Sequence, residues 1–468
     1  MGLSLDTAVA RFPELGGSAQ DVFALVEVAG LVSSRQTSPG YAPGPARPPL
    51  CLALCIDASS SMRGPRFALA LQAARNVVHS LGPDDRFAVV TFDRSARVVL
   101  PPTTLDPDGV HAASRALDRL TTGIGTNLGA GWREAAEGLL RTMVPGAVRR
   151  VLLLTDGYPS RGETQPEALR AMVADGAARG VETSLLGLGD GIDEGLCTTL
   201  ARAGEGRFHY LRDEAGLGDL VAAEVEGARS LIARDVVLSL GLAARVDRAE
   251  ILHRFPCQAD GDGGRTLRVR VGSLTRDTPR SMLVQLHVRD VATDTVLGTA
   301  QAQGLGVLPG VGRTTPAATT RPGFALGDAQ ELGPGDLVMV SPPVHLTLSG
   351  DGADGARARV AYELLALRTA AEIRSAWDAL DGGDREAMQR RLDRARKLRR
   401  ILVERGLVSP VRLEALPDIE AVHRAMTATE AQSREARRRF ASWAHNTQSS
   451  FAPAMRTDGL SPIKPSRE

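Results

Sequence analysis

The chain has 468 residues, of which 24% are charged and 43% hydrophobic, and its formal net charge is +1. That length calls for two or three domains, each able to bury a core. The balanced charge gives no bulk electrostatic case for nucleic acid as the main partner, and no stretch reads as long and apolar enough to span a bilayer.

The first residues lack the basic region and apolar run of a secretory signal, so a cytoplasmic chain with no membrane partner is expected. The four cysteines, Cys51, Cys55, Cys197 and Cys257, show no metal spacing and read as buried, inert thiols of a reducing compartment. Residues 1–19 read as a flexible lead-in and 20–33 as a strand. A Pro/Gly/Ser-rich stretch follows, with residues 34–45 as a linker.

Residues 50–56 are apolar without a helical polar rhythm, the pattern of a strand buried on both faces in a parallel sheet. The strand runs into Asp57, Ser59, Ser60 and Ser61. One carboxylate and three hydroxyls are hard oxygen donors, suited to Mg²⁺, Ca²⁺ or Mn²⁺ and poorly suited to zinc or copper. Alone, such a loop is usually a turn or a helix cap.

Beyond it, residues 66–81 carry a helical apolar stripe, and 86–92 and 96–100 read as strands. A helix at 110–120 precedes a Gly-rich loop, 121–129, that carries Thr126, and a second helix covers 128–142. Residues 151–155 form another buried strand ending in Asp156, where Gly157 and Pro159 turn the chain. A helix at 165–179, a strand at 181–188, a helix at 196–203 and a strand at 206–211 complete the alternation. Strands alternating with helices of this length predict a mostly parallel sheet with helices on both faces.

After residue 227 the pattern changes to short strands at 233–242, 249–254, 266–271, 282–288 and 344–348 with Gly/Asp turns, which predicts an antiparallel β-sandwich over 228–349. Residues 307–343 read as a long loop. Residues 354–441 read as a helical hairpin or bundle, with stripes through Val360, Leu364, Leu367 and Ala371 and through Met388, Leu392 and Ala395. Gly406 is the expected stop of the second helix, and 442–468 a flexible tail. Residues 384–405 hold nine basic and four acidic residues; without aromatic interleaving this reads as a solvated helix face before it reads as an RNA-binding surface.

Three stretches in order, Asp57-x-Ser59-x-Ser61, then Gly123-x-Gly125-Thr126-x-Leu128, then a buried strand ending Thr155-Asp156-Gly157, resemble the metal-ion-dependent adhesion site of von Willebrand factor type A (VWA) domains. The resemblance covers residues 46–227. It implies a Rossmann-like, doubly wound α/β sheet and a divalent ion, Mg²⁺ with Mn²⁺ or Ca²⁺ as alternatives, held by Asp57, Ser59, Ser61, Thr126 and Asp156. One departure is Ser60, where relatives usually have Gly. Larger bacterial members of this family often insert the type A domain into a β-sandwich, which gives the strand at 20–33 a home.

The function expected from the resemblance is non-enzymatic: another protein supplies a carboxylate that completes the ion's shell. A partner ATPase fits as well, since type A domains often act as adaptors for such machines and this chain lacks a G-x-x-x-x-G-K-[ST] loop. The alternatives are a Mg²⁺-dependent phosphohydrolase using Asp57 as nucleophile and an RNA-associated scaffold using the basic helices. Against the first, Ser59 stands where such phosphatases place their second, acid-base Asp. Asp93 and Asp190, at other strand ends, read as loop acids or caps, and Tyr158 and Arg161 as exposed loop residues.

Overall fold

The computed structural model describes residues 2–13, 20–31, 48–144, 146–212, 216–260, 265–276, 278–289, 295–307, 336–348 and 354–449. The expected linker at 34–45, most of the long loop at 307–343 and the end of the tail lie outside them. The chain divides into two compact units, one made of Met1–Ser33, Ala233–Gly304 and Met339–Glu468, the other of Ser34–Ile232 and Leu305–Val338.

Two strands come first, β1 (Gly2–Ala10) and β2 (Asp21–Leu31). The inserted unit then runs β3 (Leu50–Asp57), α1 (Pro65–Ser80), β4 (Arg86–Phe92), β5 (Ala96–Thr104), α2 (Pro107–Asp118), α3 (Leu128–Leu140), β6 (Val148–Thr155), α4 (Pro166–Ala178), β7 (Val181–Leu188), α5 (Glu194–Ala203), β8 (Glu205–Leu211) and α6 (Leu217–Arg229). Its sheet has the order β5-β4-β3-β6-β7-β8, and only the β4–β5 pair is antiparallel. Every residue of β3 is buried, so both faces of the sheet are covered, as its unbroken apolar run requires. Helix α3 packs across β3 to β6, and α6 packs on β6 beside α1.

The chain moves outward from β3 to β4 and β5, then returns to β6 on the other side of β3. Strand order therefore reverses between β3 and β6, and ligand crevices of open α/β sheets form outside the carboxyl ends of strands at such a point. Asp57 ends β3 and Asp156 follows β6.

The host unit continues with β9 (Leu231–Leu242), β10 (Val246–Ile251), β11 (Cys257–Ala259), β12 (Thr266–Thr275), β13 (Arg280–Val288), β14 (Thr295–Val307), β15 (Asp336–Val340) and β16 (Val344–Leu348). Helices α7 (Asp354–Asp381), α8 (Arg385–Glu404), α9 (Pro410–Leu413), α10 (Ile419–Met426) and α11 (Glu430–Gln448) follow. One sheet has the order β1-β2-β13-β10; the other is β11-β12-β9-β14-β15 with β16 on β14. The sheets face each other through β1 with β16 and β2 with β12.

The first sheet is covered on its other face by α7. Successive strand side chains alternate faces: Phe23 and Leu25 of β2 join one cluster with Val360, Leu364, Leu365 and Trp377 of α7, while Val22, Ala24 and Val26 are buried outside that cluster. Arg359 of α7 donates to Asp6 Oδ2 of β1 at 2.7 Å and also pairs with Glu27 of β2.

Several expectations are corrected here. Residues 2–10 of the expected lead-in form β1, paired along its whole length with β2; small residues such as Ala8 and Ala10 fit beneath the helices, so little bulk apolar signal was needed. Residues 336–340 of the expected loop form β15. The helices share one core with the first sheet, and α7 is buried beyond a single stripe: Leu365 and Ala366 are buried while Ala371 of the expected stripe is exposed. The expected tail is helical to Gln448, with Trp443, Ala444 and His445 buried. Cys257 is exposed, because β11 is a three-residue edge strand. Helix α8 ends as expected, with Gly406 at a φ of +67° just beyond it. Among its cations, Arg391 pairs with Glu372 and Arg396 with Asp393 and Glu420.

Candidate metal centre

Asp57 is 0% exposed at the end of β3. Its Oδ1 accepts the Ser59 N–H at 2.8 Å, and its Oδ2 accepts the Thr155 hydroxyl at 2.8 Å from the last residue of β6. Ile56 lies opposite Leu154 in the β3–β6 ladder, so the next residues, Asp57 and Thr155, meet across the crevice. Burial pushes the Asp57 carboxyl up to about 6; hydrogen bonds from Ser59 and Thr155 oppose that shift, and the charge of Asp156 adds to it.

The loop after Asp57 is a single 3₁₀ turn, Ser60–Met62, pinned by the fully buried Met62 side chain. Ser60 is exposed and is not among the residues with positive φ, so this turn does not need the glycine that relatives usually carry. The Ser59 and Ser61 Oγ atoms lie 2.9 Å apart, and Ser61 Oγ donates to Asp156 Oδ1 at 2.7 Å. With the Ser61 proton on Asp156, Ser61 Oγ is free to accept from Ser59, and the two hydroxyls form a relay from the first loop onto the Asp156 carboxylate. Both Oγ atoms keep lone pairs.

Four of the five expected donors, Asp57, Ser59, Ser61 and Asp156, thus stand together by direct geometry. Thr126 is placed by its backbone. Its N–H donates to Ser160 Oγ at 3.1 Å, its carbonyl accepts the Ser160 N–H at 2.9 Å, and Gly123 N–H of the same loop donates to Ala58 O at 2.6 Å. The second loop is therefore tied to the first and to the third. Gly125, at a φ of +84°, sets up the turn into Thr126, and Asn127 caps α3 by accepting the Ala130 N–H. The Thr126 hydroxyl makes no hydrogen bond among the described residues.

This donor set fits a hard divalent ion. Two carboxylates, Asp57 and Asp156, and three hydroxyls, Ser59, Ser61 and Thr126, are all oxygen donors. Among the described residues no three His, Cys, Asp or Glu side chains form a metal cluster, so an ion here depends on the hydroxyls.

Three supporting residues were not singled out from sequence. Thr155 holds Asp57, Ser160 holds the Thr126 loop, and Arg66, in the first turn of α1, donates to Asp156 Oδ2 at 3.0 Å. Thr155 was visible as the residue before Asp156 in the third motif; Arg66 resembled any helix-surface arginine. Asp93 is a turn acid whose Oδ1 accepts the Ser95 N–H at 3.0 Å. His209 bonds Glu224 at 2.9 Å in a buried cluster with Arg150 and Arg207. Arg150 stands near the start of β6, so that cluster lies at the opposite end of the strand from Asp156.

This fold defines a class. The chain carries a von Willebrand factor type A domain: residues 52–159 match the family model of that name. Among curated proteins, it is similar to YfbK of Escherichia coli (strain K12), 29% identical over 189 residues, which are 40% of this chain and 32% of that one. This chain thus spans about a third of that relative's length. Two solved structures resemble it over most of both chains. One is a von Willebrand factor type A protein from Catenulispora acidiphila, at 20% identity and a TM-score of 0.62, covering 86% of this chain and 87% of that chain. The other is the ArnB paralog VWA2 from Sulfolobus acidocaldarius, at 15% identity and a TM-score of 0.52, covering 96% and 98%. These two likenesses are of fold and include the host unit. Among the described residues no helix is long and apolar enough to cross a membrane.

Proposed function

We propose that this protein is a non-enzymatic interaction module that binds an acidic residue of a partner protein through a divalent ion, Mg²⁺ in the first instance, held by Asp57, Ser59, Ser61, Thr126 and Asp156. Type A domains are commonly protein-interaction modules, and the reading rests chiefly on the relay from Ser59 through Ser61 to Asp156, which joins the first and third loops at 2.9 and 2.7 Å. Hydroxyl-rich coordination leaves an ion with charge unneutralised by the protein, and an external carboxylate is the natural complement. A nucleophilic role for Asp57 is disfavoured: both its oxygens accept hydrogen bonds, and Ser59 offers no carboxyl for acid-base work.

The test is Mn²⁺ binding by electron paramagnetic resonance, with Mg²⁺ as competitor. Wild type should deplete the free-ion signal, and Asp57→Ala and Asp156→Ala should not. Failure of the folded wild type to bind either ion sinks the reading.

A further inference from the structure

The loops that carry the expected donors also carry side chains that the ion does not need. Ile124, two residues before Thr126, is 73% exposed, and Tyr158, two residues after Asp156, is 58% exposed. The two loops that carry them are tied together by the hydrogen bonds between Thr126 and Ser160, so this apolar surface borders the expected donors on both loops. Three exposed arginines stand with them. Arg63 follows Ser61 by two residues and reaches across to Thr122 Oγ1 at 3.3 Å. Arg94 lies in the turn after β4 and Arg161 in the loop after β6.

Arg94 and Arg161 meet at the second loop. A Cβ placed on Gly125 would lie 3.0 Å from Arg161 Cγ and 3.6 Å from Arg94 Cα. Arg94 O accepts from the Asn127 side-chain amide at 3.4 Å, and Arg161 N–H donates to Thr126 O at 3.2 Å, so both are anchored by their backbones. Among the described residues neither guanidinium has an ion pair or hydrogen bond. The acids beside them in sequence are engaged locally: Asp93 with Ser95, and Glu163 Oε1 with the Gln165 N–H at 2.7 Å.

We infer that the rim formed by Arg63, Arg94, Arg161, Ile124 and Tyr158 selects an acidic segment of the partner protein, in which the metal-bound carboxylate is flanked by further carboxylates and by an apolar side chain. This rests on the metal-bridged reading above and adds to it the partner's local chemistry. The arginines supply charge complementarity outside the ion's own shell, steering encounter and rejecting basic surfaces. Ile124 and Tyr158 supply apolar area next to it, a pairing of anchor and polar rim found at protein interfaces.

The experiment pans a displayed random-peptide library on the full chain in Mg²⁺, elutes with EDTA, and measures the recovered peptides by fluorescence anisotropy. Expected are peptides with several Asp or Glu residues beside Leu, Ile, Val or Phe, binding that weakens with salt, and about tenfold weaker binding to Arg94→Ala/Arg161→Ala with Mn²⁺ affinity unchanged. Ile124→Ser/Tyr158→Ser should lose the apolar preference and keep the acidic one. EDTA-eluted peptides with a lone carboxylate, indifferent to the arginine variant, overturn this inference and leave the metal bridge standing. Acidic peptides held equally in EDTA and lost in the arginine variant keep the rim and overturn the metal bridge. Absence of acidic enrichment, or displacement of the peptides by a single-stranded RNA oligonucleotide, overturns the acidic-segment assignment.

Discussion

The Arg66 guanidinium lies 3.0 Å from Asp156 Oδ2, so the third-loop carboxylate carries a counter-ion supplied by the helix that follows the first loop. Asp156 is 1% exposed, and a positive charge held there repels a cation entering the same site. Arg66→Met, which keeps the aliphatic stem, should therefore raise Mn²⁺ affinity severalfold, by about 1 kcal/mol for charges this close in a partly solvated site. Titration calorimetry decides it. Weaker binding in the folded variant means that Arg66 positions Asp156 and that orientation outweighs repulsion.

Ser61→Ala breaks the relay while leaving the buried strands untouched. Ser61 is exposed, so the change should cost less than about 1 kcal/mol of stability and lower Mn²⁺ affinity by at least tenfold. Thr155→Val is the contrasting variant. It strips a buried carboxylate oxygen of its donor and should destabilise the inserted unit by about 1–3 kcal/mol. Equal thermal stability of the two variants contradicts the assignment of Thr155 as Asp57's support.

The pH dependence of metal stabilisation has a definite sign. In the metal-free protein the Asp57 carboxyl is raised from 3.8 to about 6, chiefly by burial. The folded state then keeps a proton that the unfolded chain has released, so the contribution of this group is fully present below about pH 4 and is lost as pH rises through about 6. On the proposed reading a divalent ion would bind the carboxylate and reverse that loss. The increase in Tm given by Mg²⁺ or Mn²⁺ should be large at neutral pH and fade below about pH 6. A metal-induced increase that stays constant across that range excludes Asp57 from the ligand set.

Glu224 gives an internal control remote from the site. Burial opposes its charge, but the hydrogen bond and charge of His209, with Arg150 and Arg207, hold the carboxyl far below its usual 4.5. Its stabilisation is present above about pH 4.5 and is lost as pH falls through the lowered folded value. Glu224→Ala removes the buried carboxylate that Arg150, Arg207 and His209 share, while Arg150 keeps Glu182, and should cost about 3 kcal/mol. Denaturant unfolding should register this, while Mn²⁺ affinity at pH 7 should not move.

Readability from sequence followed burial. Strand β3 is buried on both faces and apolar over Leu50–Ile56, and β6 is buried and apolar over Val151–Leu154; each runs into a loop of distinct chemistry, which made the first and third site loops legible, while the second was marked by its glycines. Strand β1 was hidden because Gly2–Ala10 pairs Ala8 and Ala10 with small-residue packing and leaves Ser4 to Thr7 largely polar. Helix α6 has no clear signature in the sequence, because Leu217, Val221 and Val225 are interleaved with acids and glycines. Sequence shows that α7 has apolar residues; it does not show that a sheet begun by Phe23 and Leu25 is what they cover. Arg66 illustrates the same limit at the site: its partner Asp156 is far away in the chain, and nothing local to α1 marks it.

The pairing of Leu25 with Leu283 fixes an order of events during translation. The β1–β2 hairpin leaves the ribosome first, yet β13 follows only after the whole type A domain has been made. That domain has every strand of its sheet in one continuous stretch and can fold while the hairpin waits with an unsatisfied edge, a state open to mispairing. Pairing across such sequence distance is slow, because loop closure precedes any reward from contact. Arg280 of β13 also donates to the Ser449 carbonyl, just past α11. A nascent chain therefore displays a finished type A domain before it has a finished host, and only the emergence of α11 closes the frame in which that domain is carried.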